Sequence, residues 1–292
     1  MKGILFAGDS FTWGEGLHYY SDLHFDYSNK KFDTNYIGYD RNKITPAQIQ
    51  FIKSKRFARQ VANNFNTFEL VQKNNGGMNF EIFKFIDEIK YSYKNEYVEA
   101  NDDNVNLRQF HYKLEDFDYI VIQLTDMFRE DIKYIDNGIS KKINISVIES
   151  INDFKKFLIN NFDNNFKNFI NFYLLEYSKF IEKKFIEYET KGIKKCFILS
   201  WHNDIIPFIE NNSFLNERFI TFEKDKKKYK SIYDLQNKTN RPENMSISDD
   251  IYFIKKGIKV VNGHTSLSAH NLIAEHIIKK IEENESTRIH SV

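Results

Sequence analysis

The sequence predicts an α/β domain built on a mostly parallel sheet, and three observations predict it. Short apolar, β-branched runs recur at residues 2–8, 67–72, 118–124 and 193–200. Segments with helical spacing of apolar residues separate them. Glycine or polar clusters close each run, as at Gly8-Asp9 and Asn74-Asn75-Gly76-Gly77. Strands that alternate with helices belong to parallel sheets covered by helices, because a parallel pair needs a long crossover.

Residues 2–8 read as a buried strand ending in a tight turn. Residues 11–45 are polar and aromatic without a clear period and read as a long loop with some helix. Pro46 can open a helix, and Ile49, Ile52, Phe57, Val61 and Phe65 carry it through 47–64. A second strand at 67–72 leads to a turn at 74–77 and a helix over 79–93. The run Asp118-Tyr-Ile-Val-Ile-Gln-Leu124 is a strong buried strand. One or two long helices fill 146–190, and a strand follows at 193–200. Residues 208–250, with a charge run at Lys224–Lys228, read as a loop insertion or lid. A short last strand at 258–261 and a closing helix at 267–283 complete the pattern.

The expected architecture is a doubly wound, flavodoxin-like sheet in three α/β/α layers. It forms one domain over 1–284, with insertions at about 140–190 and 208–250 and a flexible tail at 285–292. The length of 292 residues suits one large domain. Hydrophobic residues at 41% and aromatics at 16% supply ample core.

A net charge of +1 gives no footprint for a nucleic-acid partner. The single cysteine, Cys196, excludes an intramolecular disulfide and a cysteine-based zinc site, and its apolar neighbours make it a buried thiol. His18, His24 and Asp26 match no metal-ligand template, so neither metal nor other cofactor is expected. The apolar start is too short for a signal peptide, and no run approaches a membrane span. A cytoplasmic protein is expected, and its Asn, Lys, Ile and Phe bias suits an AT-rich bacterial or viral genome.

In a doubly wound sheet, ligands bind where the strands' carboxyl ends gather. Ser10, in Gly8-Asp9-Ser10-Phe11-Thr12-Trp13-Gly14, follows the first strand at that edge. A serine hydroxyl needs a base to become nucleophilic. His264, in Asn262-Gly263-His264-Thr265-Ser266-Leu267, follows the last strand and can reach the same edge. Gly14-Glu15-Gly16 is not a phosphate-binding loop, which disfavours a nucleotide-binding reading.

These islands resemble the SGNH (GDSL-type) serine hydrolases. Gly8-Asp9-Ser10 is similar to that family's first block, and His264 with His270 and Leu272-Ile273-Ala274 to its last. The resemblance implies Ser10 as nucleophile and His264 as base. Residues 74–79, ending in Asn79, are similar to the second block, which implies an oxyanion-hole glycine, Gly77 or alternatively Gly76. The backbone N–H of Ser10 would be the other donor.

The chain departs from the family twice. Thr125-Asp126-Met127-Phe128-Arg129 stands where the third block has an asparagine, so Thr125 becomes the candidate donor and Arg129 a candidate source of positive charge. Asn262 stands where the family places the aspartate that orients the histidine. Asn262 can still accept a bond from the imidazole. Asp204, in Trp201-His202-Asn203-Asp204, is the alternative orienting acid, unless it pairs locally with His202. Asp9, Trp13, Asn79, Arg129, Trp201 and His202 are expected to face the substrate, and Trp13, Tyr19, Tyr20, Phe25 and Tyr27 can build an apolar or sugar-stacking wall. The implied activity is hydrolysis of a small-molecule or carbohydrate ester, with deacetylation of a sugar the favoured case. The alternative is a binding or structural protein that keeps the fold without catalysis.

Overall fold

The computed structural model describes residues 1–9, Thr12, Gly14, Leu17, 46–72, 79–89, 98–99, 112–125, 132–136, 139–143, 148–163, 165–238 and 267–289. Its sheet has four parallel strands: β1 (Gly3–Ala7), β2 (Glu69–Gln72), β4 (Phe117–Leu124) and β7 (Lys195–Ser200). The order is β3-β2-β1-β4-β7, in which β3 (Val98–Glu99) is a two-residue antiparallel edge. The register pairs Phe6 with Val71 on one side and Ala7 with Ile122 on the other, and runs out at Leu124–Ser200. Beyond β7, Phe219 makes a single parallel bridge to Ile198. An α/β fold on a mostly parallel sheet is therefore what this sequence forms.

Successive strand residues point to opposite faces, and each set feeds its own core. Leu5, Leu70, Ile120, Ile122 and Ile198 pack with α3 (Asn79–Glu88) and α5 (Phe166–Thr190). Ile4, Phe6, Val71, Val121 and Phe197 pack with α2 (Phe57–Asn64) and α9 (Leu267–Ile289). Cys196 is fully buried in the first cluster, and burial pushes its thiol well up from the ordinary value. Among the described residues no helix is long and apolar enough to cross a membrane.

Several expectations are corrected. The helix expected over 47–64 is two helices, α1 (Pro46–Lys55) and α2, because Arg56 between them is extended, at φ −63° and ψ 148°. Its buried guanidinium bonds Glu69 at 3.3 Å, and Arg59 reaches the same oxygen at 2.6 Å. The segment 146–190, expected as one or two long helices, is two, α4 (Ile148–Phe162) and α5. The break has Asp163 at φ +51°, and Asn165 caps α5 by accepting the N–H of Asn168. A hairpin, β5 (Ile132–Asp136) with β6 (Ile139–Ile143), lies where the sequence suggests no strands.

The larger correction concerns 208–250. Up to residue 238 it is no irregular lid but α6 (Ile206–Glu210), α7 (Ser213–Arg218), the hairpin β8 (Phe222–Lys224) and β9 (Lys227–Tyr229), and α8 (Ile232–Lys238). Phe222, Tyr229, Ile232 and Leu235 are buried in the α2/α9 cluster. The charge run is the hairpin tip, exposed at 225–228, with Asp225 and Lys226 both at positive φ as a two-residue turn between twisted strands requires.

The tail expected from 285 is helix as far as Ile289. Glu285 accepts bonds from the Tyr119 hydroxyl and, at 3.1 Å, from Lys194, while Asn284 donates to the same hydroxyl at 3.2 Å. The expected strand at 258–261 lies outside the described residues.

Candidate active site

The chain passes from β1 to β2 on one side and then back across to β4 on the other side of β1. The topological switch therefore lies between the carboxyl ends of β1 and β4, where such sheets open a crevice. Of the fourteen buried polar or charged residues described, seven gather at this edge: Asp9, Thr12, Gln72, Asn79, Gln123, Thr125 and Ser200. Buried polar groups are costly unless bonded, so their partners define what the edge is built to hold.

The turn leaving β1 is held by two glutamines from the neighbouring strands. Gly8 N–H donates to Gln72 Oε1 at 3.1 Å, and Thr12 Oγ1 donates to Gln123 Oε1 at 2.9 Å. Thr12 N–H closes back on Asp9 O at 3.1 Å. Gly8 has to be glycine: a Cβ there would stand 2.1 Å from Thr12 Oγ1 and 3.0 Å from Gln123 Cβ. Gly14, at φ +96°, is hemmed in by Arg56, Ile52 and Leu17, each 3.1 Å from where a Cβ would sit. Ser10 and Trp13 lie outside the described residues, while Asp9, immediately before Ser10, is fully buried at the edge.

At the same edge, Asn79 at the start of α3 clamps Thr125 after β4. Thr125 N–H donates to Asn79 Oδ1 at 2.8 Å, and Asn79 Nδ2 donates to Thr125 O at 3.2 Å. Asn79 was expected to face substrate; it is fully buried, and both ends of its carboxamide hold Thr125 instead. Thr125 is itself buried, and its Oγ1 has no hydrogen-bond partner among the described residues. Gly76, Gly77 and Arg129 lie outside the described residues.

Helix α9 starts at the same edge. Its far end is fixed at the amino end of the sheet, where Glu285 meets Tyr119 and Lys194. From Leu267 to Glu285 a helix advances about 27 Å, close to the length of an eight-residue strand such as β4. Its first turn is pinned by His270, whose Nδ1 accepts the N–H of Phe57 at 3.2 Å and whose ring stacks on Phe57 at 5.5 Å. That N–H is one of the donors the start of α2 would otherwise leave unpaired. His264 and Asn262 precede this turn and lie outside the described residues.

At the end of β7, Trp201 N–H bonds Leu124 O at 2.8 Å, which continues the parallel register Leu124–Ser200 by one residue and sets Trp201 beside Thr125. His202 Nδ1 faces Asp204 Oδ2 at 3.1 Å, off the in-line direction of a hydrogen bond. The local pairing of Asp204 with His202 is thus present, while His264, the other partner open to Asp204, lies outside the described residues. Trp201 is buried and packs edge-on against Tyr233, whose exposed ring also lies 5.3 Å from His202. Among the described residues no cluster of His, Cys, Asp and Glu is suited to a metal ion.

Sequence reasoning missed Gln72, Gln123 and Tyr233. For Gln123 a signal was present, an amide interrupting the apolar run Tyr119–Leu124. No protein-family model, no curated protein and no solved structure matches this chain.

Proposed function

We propose that this chain is a serine esterase acting by acyl transfer, with Ser10 as nucleophile and His264 as base, on a flavodoxin-like α/β/α sheet. The observation that carries the reading is the convergence at the β1/β4 switch. A glycine-tight turn leads directly into Ser10. At the end of the adjacent strand β4 stands a clamped residue, Thr125, whose buried hydroxyl lacks a partner among the described residues. Helix α9 begins at the same edge, three residues after His264.

In this reading Ser10 Oγ attacks the ester carbonyl while His264 takes its proton. The carbonyl electron pair moves to oxygen, where the N–H groups of Ser10 and of Gly77 (or Gly76) and the Thr125 hydroxyl receive it. The C–O bond to the alcohol then breaks, and His264 returns the proton to the leaving oxygen. Water hydrolyses the acyl-enzyme. Asp204 already faces His202, so Asn262 is left to orient His264, with Arg129 adding positive charge near the crevice. The aromatic residues around Trp13 and the exposed Tyr233 favour a small carbohydrate ester, such as an acetylated sugar.

A fluorophosphonate probe tests this reading. Labelling of the wild type that disappears in Ser10→Ala and in His264→Ala is expected. A folded wild type that takes no label overturns the mechanism and leaves the alternative, a binding protein on this fold, which the Asn262 substitution would then explain.

A further inference from the structure

We infer that helix α9 is an acid-released strap, docked on the rest of the domain through two histidines, His270 and His276, that hold their partners only as neutral imidazoles. Each ring accepts a backbone N–H from another element. His270 Nδ1 takes that of Phe57 at the start of α2, at 3.2 Å, and His276 Nε2 takes that of Glu223 in β8, at 2.8 Å. An amide N–H only donates, so both accepting nitrogens carry no proton. His276 Nδ1 lies 2.9 Å from Leu272 O, which only accepts, so the proton of that ring sits on Nδ1. In His270 it sits on Nε2. The two rings are opposite tautomers, each fixed by what it holds. The docking stands whether or not Ser10 is a nucleophile.

An imidazolium has a donor on both nitrogens and no lone pair for an N–H. On protonation each bond becomes a contact between two donors, and the pair has to separate. The two losses differ. Glu223 is exposed, so its N–H can turn to water. His270 is fully buried and stacks on Phe57, itself buried, so a Phe57 N–H stripped of its partner stays away from water. His270 therefore carries the larger share. The far half of α9 is held independently, by Ile277 and Ile281 in the core and by Glu285 on Tyr119 and Lys194. Acid therefore loosens the half of α9 that starts at the carboxyl edge of the sheet, and the β8–β9 hairpin, before it loosens the rest.

The charged groups on the elements packed here carry both signs. On those around His270 they are Arg56 and Arg59, both turned to Glu69, and Lys53 and Lys55 of α1. On those around His276 they are Glu275, Lys279 and Lys280 of α9, Glu223, Lys224 and Lys228 of the hairpin, and Glu217 of α7, which is paired with Lys195. Both nitrogens of His276 are taken by backbone groups, which leaves none for a carboxylate to pair with.

Linkage fixes the sign. A histidine in an unfolded chain protonates near pH 6.5, at about its ordinary value. Above that the docking contributes fully. Below it, unfolding takes up protons that the docked rings refuse, so the folding equilibrium weakens by up to about tenfold per pH unit for each histidine.

Two measurements on the full chain test the strap. Ring nitrogen chemical shifts above about pH 7.5 should show His270 protonated on Nε2 and His276 on Nδ1. Urea unfolding is then followed from about pH 8 to about pH 5. The wild type should lose stability more steeply than His276→Gln, whose amide oxygen can accept the Glu223 N–H without titrating. The gap should widen when His270→Asn is added, since the asparagine Oδ1 can take the place of Nδ1. Other groups titrate alike in all three proteins, so the difference in slope reads the two rings. Hydrogen-exchange protection of the Phe57 and Glu223 amides should fall over the same range while that of Ile281 holds. Equal slopes in the three proteins, or a ring with its proton on the accepting nitrogen, overturns the strap. If the double variant fails to fold, the tautomers and amide protection of the wild type still decide.

Discussion

Asn79 and Thr125 hold each other through two hydrogen bonds, 2.8 and 3.2 Å, between the carboxamide of one and the backbone of the other. The pair joins the start of α3 to the end of β4 in a fully buried place. Replacing Asn79 by Ala strands the Thr125 N–H and C=O away from water, at a cost of about 1–3 kcal/mol for each group left unpaired. Asn79→Ala should therefore lower the urea midpoint and weaken fluorophosphonate labelling together. Asn79→Asp keeps the acceptor for the Thr125 N–H but turns a donor into an acceptor facing Thr125 O. It should be no better than Ala. A midpoint unchanged in both variants would show that the clamp holds nothing.

Gly8 offers a second test, because its constraint is steric. The Cβ of Gly8→Ala would overlap Thr12 Oγ1 at 2.1 Å, so the turn has to move. Overpacking of this kind costs about 1–3 kcal/mol. The displaced turn is the one that leads into Ser10, so labelling should fall with stability. Adding Thr12→Ala removes the worst overlap but leaves the Thr12 Cβ at 2.9 Å, so it should recover only part of both losses. A double variant as impaired as Gly8→Ala alone would place the strain elsewhere.

The strands of the sheet were legible because each is a run of apolar, β-branched residues that needs no partner to be recognised: Ile4–Ala7, Leu70–Val71, Tyr119–Ile122 and Cys196–Leu199 are buried throughout. The elements between 206 and 238 were not. Their buried residues, such as Ile209, Leu215, Phe222 and Ile232, are spread over pieces of three to seven residues, too short to show a period. The lysines of the β8–β9 tip masked two strands whose inner residues face α9. The helix end at Ile289 was hidden for a different reason. What holds it is a contact with Tyr119, more than 160 residues away in sequence. At the site, the strand-end positions of Asp9 and Thr125 followed from the parallel-sheet pattern. Which buried amides would grip them depended on cross-strand register, which one sequence does not specify.

The Tyr119–Glu285–Lys194 cluster gives stability a dependence on acid. Burial draws the Glu285 carboxyl upward, but the hydrogen bonds from Tyr119 and Lys194 outweigh it and hold the group below the usual carboxylate range. A carboxylate whose pKa is lower folded than unfolded stabilises the fold fully above its unfolded value, about 4.3 for glutamate. It loses that contribution as pH falls through the folded value. Glu285→Gln should therefore be less stable than wild type at neutral pH, and the gap should close as the pH drops below about 4. Urea midpoints at a series of pH values would show it. Removal of residues 285–292 should also destabilise the chain at neutral pH, whereas a loose tail would be removed without effect.

Thr125 separates stability from function most cleanly. Its Oγ1 is buried without a partner among the described residues, while its backbone is fully held by Asn79. A buried hydroxyl without a bond destabilises a fold, and an apolar group of the same shape removes that penalty. Thr125→Val should therefore leave the urea midpoint unchanged or raise it. If the hydroxyl meets the developing oxyanion, the same substitution should slow turnover about 100-fold, the loss that follows deletion of one such donor. Thr125→Ser, which retains the oxygen, should keep most of the activity. A valine variant that is stable and slow assigns the hydroxyl to the transition state. One that is destabilised and equally fast assigns it to the fold, and the oxyanion would then rest on backbone N–H groups alone.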